Sequence, residues 1–154
     1  WRTTAILVLA APVIGAAKAA VRRFQERIDD HFLVALASVQ RNDPAAGYRL
    51  AESTAEIRAA ELLLYDAAAR LDHLGGVEEV DPVINASIIR DCGWGVRALA
   101  NAVDRLYEAS GANAMRADEP IQRLWRDVNA ARSHAILTWD HAANTYSRAL
   151  LDSI

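Results

Sequence analysis

The chain has 154 residues, 53% of them hydrophobic and 24% charged, with a formal net charge of −3. That length suits a single domain with a real core. The weakly acidic balance, with no basic run longer than Arg22-Arg23, excludes the basic face a nucleic-acid binder needs.

The first segment, roughly 3–40, opens with an uncharged run from Thr3 to Ala17 behind Arg2. Its small-residue end, Gly15-Ala16-Ala17, resembles a secretory cleavage site. The run is short for a bilayer span, and alanine and glycine continue past Lys18 into an amphipathic pattern, so a buried first helix is expected. Pro12 should kink this helix or end a short leading one, and Asp29-Asp30-His31 interrupt it again. Arg41-Asn42 stop the segment. Asp43-Pro44 then starts a second helix over 44–74, aspartate being a preferred N-cap and proline a preferred first helical residue. Within it Leu50, Ile57, Leu64 and Leu71 recur every seven residues, with Tyr48, Ala51, Ala55 and Leu62 widening the stripe. Gly75-Gly76 end it.

Asp81-Pro82 starts a third helix over 82–110, with Ile84, Ile88, Leu99, Val103 and Leu106 on one face. Gly111 and Asn113 mark its stop. A fourth helix over 119–151 begins at Glu119-Pro120, where Asp118 or Glu119 caps it or favours its dipole. Its stripe is Ile121, Leu124, Val128, Ala135, Trp139, Ala142, Tyr146 and Leu150. No window alternates as a strand would. Long helices joined by short loops imply antiparallel neighbours, so residues 1–154 read as one all-α domain, an up-down-up-down four-helix bundle.

The side chains offer little chemistry by themselves. Alanine occurs 32 times, which favours helix. Cys92 is the only cysteine; it excludes a disulfide framework and makes a reducing, cytoplasmic setting the expectation. In a helix beside Gly93 it reads as a small buried hydrophobe. His134 and His141 stand about two turns apart on the predicted fourth helix, too far for one ion, and no Glu-x-x-His pair exists, so no metal is expected. Ser133-His134 point about 100° apart and make no triad. The glycines fit no phosphate loop. In the fourth segment Arg123 and Asp127 are spaced for an i,i+4 ion pair, and Trp125 and His134 follow on the same stretch.

Several stretches carry a resemblance. Leu106-Tyr-Glu-Ala-Ser-Gly-Ala112, then Pro120-Ile-Gln-Arg-Leu-Trp-Arg-Asp127 and His134, resemble the C-terminal domain of flavin-dependent monooxygenases built on the acyl-CoA dehydrogenase fold. That group includes the oxygenase component of p-hydroxyphenylacetate hydroxylase, the steroid-ring phenol hydroxylases and dibenzothiophene monooxygenase. The opening Ala11-Pro-Val-Ile-Gly-Ala-Ala-Lys-Ala-Ala20 is similar too, as are Arg49-Leu-Ala-Glu52 and Thr138-Trp-Asp140 with Arg148-Ala-Leu150. The similarity spans nearly the whole chain, and the Trp-Arg-Asp…His run is its specific part.

The resemblance implies a C-terminal domain whose N-terminal helical and middle β domains lie elsewhere. It implies reduced flavin, FMN or FAD, from a separate flavin reductase, with O₂ and an aromatic or similar small apolar molecule as co-substrates, no membrane partner, and a homotetramer. His134 corresponds to the family's active-site base or hydrogen-bond donor; imidazoles exchange protons near neutrality, and the role needs a pocket closed to water. Arg27 is placed where an arginine contacts the flavin, Gly111-Ala112 at the turn that passes it, and Trp94 in the substrate cavity. A solvated arginine, a helix C-cap and a core aromatic are the structural alternatives for these three. Arg126-Asp127 reads as a structural pair. Acyl-CoA dehydrogenases commonly present a glutamate for proton abstraction in the stretch that here reads Ser133-His-Ala-Ile136, so the acyl-CoA reading is the weaker one. Gly47 stands where relatives often carry glutamine. The other alternative is a non-catalytic helical module for self-association.

Overall fold

In the computed structural model, which describes residues 2–30, 32–33, 38–75 and 80–154, three long helices and two shorter ones carry nearly all the structure. They are α1 (Arg2–Asp30), α2 (Pro44–His73), α3 (Pro82–Ala109), α4 (Pro120–Arg132) and α5 (Trp139–Asp152). The all-α bundle expected from the sequence is present, with its fourth member in two pieces. Helix α3 is the central element, packing against α1, α2, α4 and α5.

The first two acid–proline starts work as their chemistry dictates. Asp43 Oδ1 accepts from the Ala45 amide at 3.0 Å, and Asp81 Oδ1 from the Val83 amide at 2.7 Å. The third differs. Glu119 holds the N-cap position without a side-chain cap bond, and Asp118 is turned to Arg116 instead.

Helix α1 runs unbroken through Pro12, which lies on the exposed face where a missing amide costs no buried partner. The inner face, Ile6, Ala10, Val13, Ala17, Ala20, Phe24 and Ile28, is in the core. Its outer face is also apolar: Val8 is 64% exposed, and Leu9 and Pro12 flank it. By length and composition α1 is the one described helix apolar enough to cross a membrane, yet a full face of it is core.

The first segment ends at Asp30, well short of residue 40. Beyond it Phe32–Leu33 (β1) pairs antiparallel with Ser38–Val39 (β2), and a 3₁₀ turn at Gln40–Asn42 leads into α2. This small ladder, which no alternation announces, is a correction to the expected long helix. His31 and Gly76, at two expected breaks, lie outside the described residues.

On α2 the heptad Leu50-Ile57-Leu64-Leu71 faces inward, but the residues expected to widen it do not. Tyr48, Ala51, Ala55 and Leu62 are exposed, and the stripe is completed by small residues, Ala46, Ser53, Ala60 and Ala67, also seven apart. Small side chains at that register let α3 approach closely, which the sum of hydrophobicity does not reveal. On α3, Ile84 is exposed while Ile88, Leu99, Val103 and Leu106 are fully buried.

The main correction concerns 119–151. Helix α4 stops at Arg132, and the Leu137 and Thr138 amides both donate to the His134 carbonyl, at 2.8 and 3.1 Å. The turn drops Leu137 into the core and redirects the chain, so that α5 packs on α3. Gly93 makes that contact possible: a Cβ there would stand 2.5 Å from Ala142 Cβ. Tertiary packing has overridden helix propensity. Ala135 and Leu150, placed on the buried stripe by periodicity, are exposed.

Candidate functional site

Helix α3 ends in a turn that gathers three of the predicted site residues. Ser110 caps the helix, its hydroxyl donating back to the Leu106 carbonyl at 2.8 Å. Gly111 follows with φ +73°, which favours glycine, and its amide closes on the Glu108 carbonyl at 3.1 Å, so the C-cap role is real. Gly111 and Ala112 are both exposed. Arg27 crosses from α1, and its Nε donates to the Ser110 carbonyl at 2.9 Å. Beside it Gln40 donates through Nε2 to the Ala109 carbonyl at 2.7 Å. A guanidinium and an amide thus satisfy consecutive carbonyls at the negative end of α3.

Neither side chain is spent. Arg27 Nη2 and Gln40 Oε1 are buried and have no hydrogen-bond partner among the described residues. Buried polar atoms are rarely left so, and here a donor and an acceptor stand together at one turn. Gln40 was missed from the sequence because it fell inside the expected helix, and no motif marks it. The polar contact looked for at Gly47 is absent there, since Gly47 is an exposed helical residue with open space around it.

His134 lies on the turn between α4 and α5, not within a helix. On this chain its ring is exposed and makes no hydrogen bond with the described residues, rather than facing an enclosed cavity. Trp94 on α3 is 40% exposed and so is not a core aromatic. It borders a cleft of about 360 Å³ that it shares with Trp139, Leu63 and Arg90. The cleft floor includes Asp91, a buried carboxylate held by Arg70 and by Arg90, whose Nη2 lies 2.7 Å away. Neither His134 nor Arg27 is among the described residues that border the Trp94 cleft.

Trp125 has a structural task. It stacks on Tyr107 with centroids 4.7 Å apart, and its Nε1 donates to Asp104 at 2.7 Å. Asn129 and Arg132 donate to the same carboxylate, each at 2.9 Å, which fastens α4 to α3 just ahead of the His134 turn. Asp127 pairs with Arg123 at 3.8 Å rather than with Arg126. Cys92 is fully buried, and burial pushes its thiol up to about 12, so it is no nucleophile. Lys18 holds the Glu61 carboxyl below the usual carboxylate range, with Arg58 assisting. Among the described residues no group of three His, Cys, Asp or Glu is placed to hold a metal ion.

Residues 7–139 match the family model of the acyl-CoA dehydrogenase C-terminal domain. The chain belongs to that family. Within it, the oxygenase subunit HsaA of a flavin-dependent monooxygenase from Mycobacterium tuberculosis is 33% identical over 137 residues, 88% of this chain and 35% of HsaA. The oxygenase component of an FADH₂-dependent resorcinol hydroxylase from Rhizobium is 27% identical over 93% of this chain and 37% of its own length. Among solved structures, XiaF from Streptomyces in complex with FADH₂ and glycerol superposes with a TM-score of 0.89 at 26% identity, covering 98% of this chain and 39% of XiaF. The chain therefore spans little more than a third of the length of the curated relatives it matches. An acyl-CoA dehydrogenase from Geobacillus kaustophilus shares the fold at 14% identity and a TM-score of 0.75.

Proposed function

We propose that this chain is the C-terminal domain of the oxygenase component of a two-component monooxygenase, which uses reduced flavin and O₂ to hydroxylate an aromatic substrate. The observation that carries the proposal is the break between α4 and α5: it presents the His134 imidazole outward on a turn whose residues, 133–138, include no carboxylate. A domain of the acyl-CoA dehydrogenase fold without an acid at this turn has no base for α-proton abstraction there. It does have one suited to a phenol.

In this reading the exposed ring is the wall of an active site completed by the rest of the chain, which makes up most of the length of the relatives. His134 accepts the phenolic proton at an imidazole nitrogen, raising electron density on the substrate ring. Closure over the turn keeps water out. Gly111 and Ala112 would hold the cofactor through an exposed backbone open to close approach, and Arg27, fixed on the Ser110 carbonyl, would lend the turn its positive charge. Reduced flavin, when bound, supplies the two electrons with which O₂ is activated. FADH₂ is favoured over reduced FMN by the wording of two relatives' names. A separate flavin reductase is the expected partner, in keeping with relatives described as oxygenase subunits or components. Trp94, expected in the substrate cavity, borders a separate cleft with Trp139, and in this reading it lies outside the place where the substrate ring binds.

Self-association is part of the same reading. Val8 and Leu9 on α1 and Leu62 and Tyr65 on α2 are exposed, more apolar surface than a lone domain of this size needs to show, and a second copy of the chain is the proposed cover, in a tetramer. The decisive experiment replaces His134→Ala in the full-length protein, supplied with reduced flavin, and compares hydroxylated product with hydrogen peroxide released. Product falls by about 10²-fold or more while peroxide rises, the usual scale for a lost acid–base group. Hydroxylation at the wild-type rate would remove His134 from the mechanism.

A further inference from the structure

The turn that carries His134 also sends Ile136 into the wall of a second cavity, of about 280 Å³, between the N-terminal ends of α1, α3 and α5. Ile6, Ile89 and Ile136 line it beside Thr3, Asn85 and His141, and no lysine, arginine, aspartate or glutamate is among its described lining residues. An aliphatic cavity of about 150 Å³ already takes benzene, so this one has room for a ring with a substituent.

The polar groups are specific. The Thr3 hydroxyl donates to Asn85 Oδ1 at 2.7 Å, which orients the amide and leaves both Nδ2 protons as free donors. Among the described residues, neither Asn85 Nδ2 nor the His141 ring has a hydrogen-bond partner. The cavity therefore offers an apolar slot, one free donor group and one imidazole able to donate or accept. Among the described residues its lining offers no lysine or arginine to replace the hydration of a carboxylate.

Resting on the oxygenase reading above, we infer that this cavity receives the substrate, and that Asn85 and His141 determine its specificity. They select an aromatic whose tail, remote from the reacting phenol, is uncharged and hydrogen-bonding: an alcohol, ketone or amide rather than an acid. The ring lies among the three isoleucines, with the tail on Asn85 and His141. Trp94 belongs to the other side of the helix. Trp139 and His141 are two residues apart on α5, about 200° around its axis, so the Trp94–Trp139 cleft and this cavity cannot hold one ring between them.

Three probes on the full-length protein decide the matter: 4-hydroxyphenylethanol, 4-ethylphenol and 4-hydroxyphenylacetate, which share a ring and differ in the tail. Binding is measured by equilibrium dialysis, so that turnover is not required. The wild type binds the alcohol about 10-fold more tightly than 4-ethylphenol, the scale of one hydrogen bond, and binds the acid most weakly. Asn85→Ala and His141→Ala erase the alcohol's advantage but leave 4-ethylphenol binding within about twofold, which also shows that the variants are folded. His141→Gln restores part of the advantage. Equal binding of alcohol and ethylphenol by the wild type, tightest binding of the acid, or loss of the advantage in Trp94→Leu instead would overturn the assignment. A wild type that binds in the expected order yet hydroxylates none of the three supports the pocket and sinks the oxygenase reading, so the two can fail separately.

Discussion

Gly93→Ala tests the packing that sets the His134 turn. The added Cβ would meet Ala142 Cβ at 2.5 Å and would lie 3.7 and 3.8 Å from the Thr138 and Leu137 carbonyl oxygens. The first of these is a clash with a methyl that has no rotamer to yield, so α5 must move. Overpacking of this kind costs about 1–3 kcal/mol, and so severe an approach belongs at the upper end. Alanine returns about 1 kcal/mol through helix propensity, leaving a net loss of about 2 kcal/mol. Ala142→Gly alone loses propensity and a buried methyl, together about 1.5–2 kcal/mol. Joined, the two changes exchange the methyl from one helix to the other, and most of the loss disappears. Hydrogen exchange of the α5 amides in the full-length protein is the appropriate assay, because a local opening is being read. Each single variant speeds exchange by roughly 30-fold, the factor equal to about 2 kcal/mol, and the double variant returns to within a few-fold of wild type. Strictly additive losses would refute the claim that this one close approach positions α5.

Two further outcomes follow from the same packing. Asp104→Ala strands three donors, from Trp125, Asn129 and Arg132, and is expected to destabilise the α3–α4 contact by about 2–3 kcal/mol, seen as a fall in melting temperature with faster exchange confined to α4; Asp104→Asn, which keeps an acceptor, should lose less. Cys92 gives a pH signature: its folded value of about 12 lies above the ordinary thiol value of 9.0, so the folded state keeps a proton the unfolded state releases. Stability therefore declines as pH rises from about 9 toward 12, Cys92→Ala flattens that decline, and iodoacetamide at pH 8 labels the native thiol only after denaturation. Rapid native labelling would show that α3 is open at Cys92.

The site was only partly legible. Arg27, Gly111 and Ala112 came from distant positions in the chain and meet at one turn, since the end of α1 packs beside the end of α3. Gln40 was invisible because amide contacts to a carbonyl 69 residues away have no local pattern. The setting of His134 was misread: periodicity carried a helix through residues that form a turn. The Trp125 and Asp104 contact was equally hidden, with the aromatic in plain view and its partner on another helix.

Local chemistry was enough for the class of fold and for most helix starts. Asp43-Pro44 and Asp81-Pro82 cap their helices with their own side chains, so nothing distant had to be known. The seven-residue recurrence of leucine and isoleucine on α2 likewise fixed its inner face, because a helix turns the same residues to the same side wherever it is. Only the tertiary structure decided where the last helix breaks, which apolar residues of α1 and α2 remain uncovered, and that Ile136 of the His134 turn lines a cavity with no formal charge among its described lining residues. Those outcomes depend on which surfaces meet across the bundle. A methyl group absent at Gly93 matters only because Ala142 arrives opposite it, and no reading of either residue alone contains that meeting.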